Sequence, residues 1–445
     1  MLDEQQYDPP KAHKACAMST LAFTVCFAVW TIFSVIGVKI QQDLGLSETE
    51  FGILVATPVL TGSISRIFLG IWTEKFGGRL VFTVLMLTTA VAVYLLSAVE
   101  TYGMFLVAAL GVGLAGGSFI VGIAYTSEWY DKNHQGTALG IFGAGNVGAA
   151  VTNFGAPFLV VGVGWETTAQ IYAAVLAVMA VTFWFLTEAD PRIQKRRAEG
   201  GKPTPLKEQL EPLKKLQVWR FSLYYFFVFG GFVALASWLP RYYTGAYDMG
   251  LEAAGMLAAA YSLPASVVRA LGGWLSDKIG ARAVMYWTFG VSLLALFILS
   301  YPETRYVVSG IEGPIEFSFG VPIWLFALLT IALGFMMSLG KAAVYKHIPV
   351  YYPDHVGSVG GLVGMIGGLG GFFLPIAFGV LNDLTGVWTS CFMLLFVVVA
   401  VSMIWMHFAI LRMEHRRNPE RAAEDRFRYL PEIQPDYKNE GRGAR

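Results

Sequence analysis

Two arginines lie inside apolar segments of the sequence, at matching positions in two copies of one motif. Arg66 opens RIFLGIWTEKFGGR (66–79) and Arg269 opens RALGGWLSDKIGAR (269–282), so that a shift of 203 residues superposes the copies. A charge at the centre of a membrane helix costs about 2.5 to 3.5 kcal/mol on insertion scales, and such residues generally face a polar cavity that they serve. Two cations that face one cavity indicate a binding site for an anion.

Both arginines are predicted to lie well inside the membrane. Each precedes the acidic residue of the next loop, Glu74 or Asp277, by eight residues, which places it about 12 Å from the cytoplasmic end of its helix. A snorkelling side chain covers only part of that distance. The alternative is an arginine that pairs with a carboxylate for helix packing, and the nearest such group is Glu128 at the inner end of the fourth span. The anion site is the better interpretation, because the spans hold almost no other acidic residue away from their ends.

The elements that carry these arginines are predicted membrane helices. Of all residues 55% are hydrophobic and 14% are charged, and the mean hydropathy is +0.55, a composition that soluble domains do not show. Apolar runs of about twenty residues, long enough to cross about 30 Å of hydrocarbon, recur along the chain. We predict an all-α integral membrane protein with about twelve transmembrane helices in two pseudo-symmetric six-helix halves. The predicted spans are 16–38, 49–73, 79–99, 103–128, 136–162, 166–187, 219–244, 252–276, 282–301, 319–345, 355–381 and 387–412.

The distribution of lysine and arginine predicts the topology. The densest set of these residues falls between Arg192 and Arg220, whereas the predicted outer loops hold little beyond Lys39, Arg241 and Arg305. Both termini of this multi-pass protein of the plasma (inner) membrane are therefore expected in the cytoplasm. The predicted units are a six-helix half at 1–187, a cytoplasmic linker at 188–218, a second six-helix half at 219–412 and a cytoplasmic tail at 413–445.

Other motifs argue against a cofactor or a nucleic-acid partner. GVGLAG (111–116) fits a dinucleotide pattern but has no preceding strand, and the segment around Lys341 lacks the Ser or Thr that a phosphate loop needs. The net charge of +1 implies nothing about nucleic acid. We expect no metal, no cofactor, no nucleic-acid partner and no enzymatic activity. The three cysteines, which lack metal-ligand spacing, are Cys16, Cys26 and Cys391.

Two glycine-rich stretches form a second pair of repeats. GTALGIFGAGNVGAAVTNFGAP (136–157) and GSVGGLVGMIGGLGGFFLP (357–375) superpose with a shift of 222 residues. Small residues at four-residue spacing let helices approach closely and slide, so helix packing and gating account for most of these positions. The glycines expected in this role are Gly143, Gly145, Gly148, Gly364, Gly367 and Gly368.

The charged loops of the first repeat carry a family resemblance. The segments that begin at Gly70 and Gly273 resemble the loop between helices 2 and 3 of the major facilitator superfamily and its counterpart between helices 8 and 9. Glu74 replaces the usual aspartate in the first copy and keeps its charge. The resemblance implies the major facilitator fold, with Glu74 and Asp277 as gating and hinge elements.

A more specific resemblance covers nearly the whole membrane part. The glycine-rich stretches, together with GLAGGSFIVGIAYTSEWY (113–130), TGSISR (61–66) and YFFVFG (225–230), resemble the nitrate/nitrite porter family. The resemblance implies that the substrate is nitrate or nitrite, that two arginines clamp it, that an asparagine donates a further hydrogen bond, and that three aromatic residues wall the site. The residues implied in these roles are Arg66, Arg269, Asn146, Tyr225, Phe229 and Phe119.

The chemistry of these side chains agrees with that assignment. Nitrate is a planar monoanion with three equivalent oxygens, and a guanidinium is a planar fork that can donate two parallel hydrogen bonds. Tyr225 and Phe229 lie one helical turn apart on one face, so they are expected to sandwich a flat ion and to exclude water. The alternative is an aromatic pair that faces lipid or the core.

Lys341 is the least expected residue. With the shift of 222 it is the repeat counterpart of Phe119, so it should face the same central cavity. Lys341 is a departure from the family that this chain resembles, because many of its members that act as exchangers have an uncharged polar residue at this position. A lysine, unlike an arginine, can exchange its proton when it is desolvated beside other cations, and Lys341 is therefore a candidate for proton coupling. The alternative is a lysine that extends toward the cytoplasm or balances Glu128.

The sequence therefore predicts a secondary active transporter that moves nitrate or nitrite by alternating access, with proton-coupled nitrate symport as the favoured mechanism. The alternatives are nitrate/nitrite exchange by an antiporter, a porter for small organic anions, and a sensor that binds the anion without transport. The expected partners are nitrate, nitrite, protons and the lipid bilayer, and an oligomer is not required.

Overall fold

The computed structural model of the protein describes residues 9–130, 134–190, 211–352 and 356–417. Most of the predicted linker (188–218) and of the predicted tail (413–445) lies outside the described residues. The described part is almost entirely helical, and its strands are confined to one short hairpin.

Twelve helical crossings follow one another along the described chain. Ten helices are long and apolar enough to span a membrane, an eleventh consists of two segments joined by a bend of 42°, and the longest of the ten is divided at Gly164. This number agrees with the sequence prediction. The helices are α1 (Pro9–Leu44, interrupted at 31–32), α2 (Glu48–Phe76), α3 (Gly78–Leu96), α4 (Tyr102–Glu128), α5 (135–163), α6 (165–186), α7 (Leu216–Ala246), α8 (Leu251–Val267 and Arg269–Ile279), α9 (Ala281–Leu299), α10 (Ile323–Tyr351), α11 (Val356–Gly368 and Gly370–Thr385) and α12 (Ser390–Arg417).

The turns between helices repeat across the two halves with the shift seen in the sequence. Gly77 between α2 and α3 has φ 96°, and Gly280, which lies 203 residues later between α8 and α9, has φ 88°. The same shift relates Gly45 (φ 63°) to Asp248 (φ 51°). A positive φ is strained for most residues that carry a side chain. Glycine therefore permits the tight turns at Gly77 and Gly280.

A β-hairpin, which the apolar pattern of the sequence does not predict, joins α9 to α10. Strands β1 (Thr304–Gly310) and β2 (Gly313–Phe319) pair in antiparallel register. Gly313, the first residue of β2, has φ 135°, a conformation that residues with a side chain rarely adopt. Because β2 occupies the start of the predicted span 319–345, α10 begins only at Ile323.

The outer faces of the helices are apolar. Large apolar side chains such as Val107, Phe185 and Leu294 are exposed on many of the helices. A spanning helix satisfies its backbone hydrogen bonds internally, and apolar side chains on its outside then face the lipid tails. The exposed apolar surface is thus the surface expected of a protein that lies in a bilayer.

Glycines bring neighbouring helices of each half into contact. A Cβ added to Gly148 of α5 would lie 2.2 Å from the backbone oxygen of Thr24 in α1, and one added to Gly145 would lie 2.5 Å from Phe23. In the second half, a Cβ on Gly367 of α11 would lie 2.5 Å from Tyr225 of α7. These three positions leave no room for a larger side chain, so α5 packs on α1 as α11 packs on α7.

Polar side chains join the two halves at the end of the bundle remote from the chain termini. Arg241 of α7 pairs with Glu48, the first residue of α2, through two hydrogen bonds, and its guanidinium carbon lies 4.9 Å from the ring centre of Trp388. Asp383 of α11 accepts hydrogen bonds from the backbone N–H groups of Glu48 and Thr49 at 3.1 and 2.8 Å. A carboxylate at a helix N-terminus is favourable. We call Glu48, Thr49, Arg241 and Asp383 the inter-half latch.

A second polar contact between the halves lies deeper in the bundle. Asn153 of α5 is fully buried and accepts a 2.7 Å hydrogen bond from the hydroxyl of Ser34 in α1. Its amide nitrogen donates to the carbonyl oxygen of Ala236 in α7 at 3.0 Å and to the hydroxyl of Ser262 in α8 at 3.3 Å. Asn153 therefore ties two helices of the first half to two helices of the second.

A buried carboxyl group lies at the end of the first half that carries the N-terminus. Asp190 is 2% exposed and accepts a 3.5 Å hydrogen bond from the backbone N–H of Arg79 at the start of α3. Burial raises the pKa of Asp190 from its ordinary value of 3.8 to about 6, against the opposing effect of backbone N–H groups that include those of Gly78 and Arg79; Glu128 adds to the rise. The folded chain thus holds this proton more tightly than the unfolded chain, and folding stability falls as the pH rises from about 4 to about 6.

Replacement of Asp190 is expected to remove this part of the pH dependence. A shift of about two pKa units corresponds to at most about 3 kcal/mol of stability lost on ionisation. Thermal unfolding of the purified protein between pH 5 and pH 7.5 should show a smaller pH dependence for Asp190→Asn than for the parent. The control is Glu188→Gln, because Glu188 is exposed and pairs with Lys11. A parent-like profile in Asp190→Asn would show that the buried carboxyl is not responsible.

Candidate functional site

Arg66 reaches from α2 of the first half to α11 of the second. The residue is 5% exposed, and its Nη1 donates a 2.9 Å hydrogen bond to the carbonyl oxygen of Gly364. Its guanidinium carbon lies 5.6 Å from the ring centre of Phe119 and 5.5 Å from that of Phe229. The Nε atom has no hydrogen-bond partner among the described residues, so part of the donor capacity of this guanidinium is unused.

Arg269 occupies the matching position in the second half. It opens the second segment of α8, directly after the 42° bend. Its guanidinium carbon lies 5.6 Å from the ring centre of Phe119 and 5.6 Å from that of Tyr345. The Nη1 atom is buried and has no partner in the part of the chain that the structure describes. This arginine, too, has a donor available for a ligand.

The two guanidinium groups meet at the ring of Phe119. Each guanidinium carbon is 5.6 Å from the ring centre, so the two carbons are separated by at most twice that distance. Neither arginine forms an ion pair with a described carboxylate. Two like charges about 10 Å apart repel each other by about 1 to 2 kcal/mol at an effective dielectric constant near 20. A bound anion would offset both this repulsion and the lost hydration of the two cations.

Glycines of the opposite half make room for both arginines. A Cβ on Gly368 of α11 would lie 3.4 Å from Nη1 of Arg66, and one on Gly364 would lie 3.7 Å from the same atom. A Cβ on Gly143 of α5 would lie 3.4 Å from Cδ of Arg269. From the sequence, these three glycines are expected in helix packing and gating. The structure places them against the arginines themselves.

Tyr225 and Phe229 form one wall beside Arg66. Their ring centres lie 5.0 Å apart with an angle of 13° between the planes, so the rings stack directly on each other. The two residues share a face of α7, as the sequence predicts. The expected sandwich around a flat ion is not formed, because an ion would have to separate two rings that are already in contact.

Tyr345 of α10 belongs to the same aromatic cluster, although the sequence analysis did not single it out. Its ring meets that of Tyr225 edge-on at 5.0 Å and lies 5.6 Å from the guanidinium carbon of Arg269. Its hydroxyl donates a 3.1 Å hydrogen bond to the carbonyl oxygen of Gly360. Its position in the sequence could have indicated this, because Tyr345 lies one helical turn after Lys341 and should share its helix face.

Asn146 is buried with its amide unsatisfied. It lies on a 3₁₀ turn inside α5, Ala144–Val147, which packs against α1 and α8. The residue is 0% exposed, and neither Oδ1 nor Nδ2 has a hydrogen-bond partner among the described residues. A buried polar group without a partner costs about 1 to 3 kcal/mol. Such a group needs an explanation, and a bound ion that supplies the missing hydrogen bonds is one.

Lys341 contacts α8 one turn away from Arg269. It is 0% exposed, and its ammonium donates a hydrogen bond to the carbonyl oxygen of Ala265 and lies 3.7 Å from the ring centre of Phe232. Ala265 is in the last turn before the bend of α8, where carbonyl oxygens lack helical partners. Lys341 thus caps this helix segment, and no ion pair joins it to Glu128 among the described residues.

The acidic residues of the two charged loops behave differently. Asp277 forms an ion pair with Lys346 of α10, which lies in the same half. Glu74 is exposed. The second loop is therefore bonded to a neighbouring helix in this conformation, as the gating interpretation expects for both.

The fold and the site define a class of protein. Six-helix halves that span a membrane, and a cationic site built where the halves meet, are features of secondary transporters that work by rocking one half against the other.

Comparisons with known proteins narrow the class. The family model of the Major Facilitator Superfamily matches residues 18–311 and 251–435. The chain is 45% identical to the "Probable nitrate/nitrite antiporter NarK1" of Thermus thermophilus over 92% of this chain and 95% of the relative, and 30% identical to the "Nitrite extrusion protein" of Bacillus subtilis over 89% and 95%. A bacterial homologue of the human lysosomal transporter Spinster has the same fold, with a TM-score of 0.68 at 15% identity over 90% of this chain and 97% of that chain. The chain belongs to the major facilitator superfamily and, within it, to the nitrate/nitrite porter family.

Proposed function

We propose that the protein moves nitrate and nitrite across the membrane by alternating access and binds the anion between Arg66 and Arg269. The observation that carries this proposal is the pair of guanidinium groups, one from each half, that flank Phe119 without an ion-pair partner in the described chain. Relatives of up to 45% identity that are named for nitrate and nitrite support the choice of anion. Both termini face the cytoplasm in this proposal, because most lysines and arginines outside the helices then lie on that side.

The donor groups of the site suit a small planar oxyanion. Nε of Arg66, Nη1 of Arg269 and Nδ2 of Asn146 are buried and have no partner among the described residues. Nitrate offers three equivalent oxygens and can accept several charge-assisted hydrogen bonds at once. Tyr225 and Phe229 keep water from one side of Arg66, and the lower dielectric constant of a dry site strengthens each of these bonds.

The contacts of Arg66 link anion binding to the movement of the halves. Its hydrogen bond to the carbonyl oxygen of Gly364 crosses from α2 to α11. An anion that takes over this donor weakens a direct bond between the halves, and it then bridges the two arginines itself. A ligand shifts a conformational equilibrium only by its differential affinity for the two states, and this exchange of partners supplies such a difference.

The inter-half latch corresponds to a closed outer end. Glu48 of the first half pairs with Arg241 of the second, and Asp383 of the second half caps α2. Asn153 adds hydrogen bonds between the halves nearer the centre. Opening of the outer end must break these bonds, so the latch sets part of the free-energy difference between the inward-open and outward-open states.

We assign proton coupling to Lys341 and favour nitrate symport with a proton. Lys341 donates to the carbonyl oxygen of Ala265 in α8, one turn before Arg269 on that helix. Tyr345, one turn after Lys341 on α10, contacts Arg269. A lysine can release its proton at accessible pH values, whereas a guanidinium stays charged. The negative charge of an anion beside Arg269 favours the protonated form of the neighbouring Lys341 amine. The anion and the proton would then cross the membrane together.

Nitrate/nitrite exchange is the second candidate mechanism. The relative from Thermus thermophilus is named as a probable antiporter of these two anions. In exchange, one anion replaces another at the arginines, and no titratable group is required. The two mechanisms differ in what drives uptake, which makes them separable by experiment.

Each site arginine is expected to be required for binding. A lysine keeps the charge but loses the planar fork, so Arg66→Lys and Arg269→Lys should each weaken nitrate binding by at least about tenfold, as the loss of one hydrogen bond to a charged group implies. Binding to the purified protein and uptake by proteoliposomes measure this, with formate as a competitor that tests the organic-anion alternative. The control is Arg305→Lys, because Arg305 lies on the exposed hairpin and pairs with Glu316. Parent-like binding in either site variant would place the site elsewhere.

Loss of the latch is expected to favour the outward-open state. A cysteine at Ala236, which contacts Asn153 between the halves, should react slowly with an impermeant maleimide added from outside while the latch holds. Glu48→Gln should raise the labelling rate by about fivefold, for a pair worth about 1 kcal/mol. Asp43→Asn is the matched control, since its ion pair with Lys39 lies within one half. Equal labelling rates in both variants would exclude a role of the latch in gating.

Uptake driven by a proton gradient tests the coupling. Proteoliposomes without internal nitrite should take up nitrate when the outside is acidic, and Lys341→Gln should lose this response. The glutamine can still donate to the carbonyl oxygen of Ala265 but cannot carry a proton. Nitrate binding by the variant is the control for folding. Strict dependence of the parent on internal nitrite, without a response to the gradient, would leave exchange as the mechanism.

A further inference from the structure

Ser63 carries a buried hydroxyl on α2, close to Arg66. It lies one turn before Arg66 on the same helix face, is 0% exposed, and its Oγ has no hydrogen-bond partner among the described residues. Hydroxyls inside helices usually donate to the carbonyl oxygen four residues earlier. Two threonines of the same helix do so, since Thr57 donates to Ile53 and Thr73 donates to Leu69, both at 2.7 Å. Ser63 departs from this pattern.

The hydroxyl of Ser63 faces the second half beside the guanidinium of Arg66. A Cβ on Gly368 of α11 would lie 2.9 Å from Oγ of Ser63 and 3.4 Å from Nη1 of Arg66. The two donor atoms are therefore separated by no more than the sum of these distances, about twice the length of a hydrogen bond. Donors this close can bond to one acceptor atom or to two oxygens of one small anion.

We propose that Ser63 is a further substrate-binding residue, whose hydroxyl donates to an oxygen of the anion held by Arg66. This inference rests on the proposed function and adds a neutral donor to the cationic site. An oxyanion can bond to the hydroxyl through one oxygen and to the guanidinium through another, each at its own preferred distance, whereas a spherical halide must share one atom between the two donors. Ser63 therefore contributes to the preference for nitrate and nitrite over chloride.

Ser65 provides a matched comparison on the same helix. Its Oγ is also buried without a partner in the described chain. It faces α4 of its own half, however, because a Cβ on Gly117 would lie 2.8 Å from it. Ser65 thus shares the residue type, the helix and the missing hydrogen bond of Ser63, but it does not face Gly368 and the other half. A difference in anion binding between Ser63→Ala and Ser65→Ala therefore reflects the position of the lost hydroxyl.

The experiment measures the Kd of nitrate, nitrite and chloride for the purified full-length protein. Ser63→Ala should weaken nitrate and nitrite binding by about tenfold, the effect of one hydrogen bond to a charged ligand, and should change chloride binding by less than about twofold. Ser63→Cys, which keeps a weak donor of similar shape, should give an intermediate loss. Ser65→Ala should bind all three ions like the parent. Size-exclusion profiles and melting temperatures of the variants check folding.

The outcomes separate this inference from the proposed function. If the parent binds nitrate and Ser63→Ala binds it equally well, Ser63 is not a ligand and the proposed function stands. If Ser65→Ala loses as much affinity as Ser63→Ala, or if chloride binding falls in parallel with nitrate binding, the effect is one of helix packing and the inference is overturned. If the parent binds neither nitrate nor nitrite, the proposed function itself fails, whatever the variants do.

Discussion

The arrangement of this site depends on one constraint, the burial of Arg66 and the partial burial of Arg269 without a carboxylate in contact with either guanidinium among the described residues. A charge removed from water loses several kcal/mol of solvation even after the protein relaxes. Around Arg66 and Arg269, aromatic ring faces and one carbonyl oxygen recover part of this loss, because a ring face attracts a cation by about 0.5 to 2 kcal/mol. In the proposed site, the deficit that is left would be the source of affinity for an anion.

Each of the two arginines also contacts a helix of the opposite half. Arg66 of the first half lies against Gly364 and Gly368 of α11, and Arg269 of the second half lies against Gly143 of α5. Each glycine-rich helix therefore receives the cation of the opposite half, and the absence of a Cβ is what permits this. When the halves rock, both arginines change their neighbours at once. If the anion binds at these arginines as proposed, its binding and the conformational equilibrium are linked because they share these atoms.

The sequence was sufficient for the features that repeat, and insufficient for contacts between the repeats. The shift of 203 residues located both arginines and the turns at Gly77 and Gly280, since each copy is a local pattern. Tyr345 was missed because its importance comes from touching Arg269 on another helix, and no periodicity encodes that contact. The direct stacking of Tyr225 on Phe229 was missed for a related reason: helical spacing gives a shared face but not the rotamers that bring the rings together.

The bend in α8 connects the anion site to the candidate proton site. Ala265, which accepts the hydrogen bond from Lys341, lies before the bend, and Arg269 lies directly after it. A change in the bend angle would therefore move Arg269 relative to Lys341, although both are anchored to the same helix. Breaks in helices are places where small rotations are absorbed. If the angle differs between the inward-open and outward-open states, the electrostatic interaction between the two cations differs as well. In the proposed symport, that difference would couple a proton on Lys341 to an anion beside Arg269.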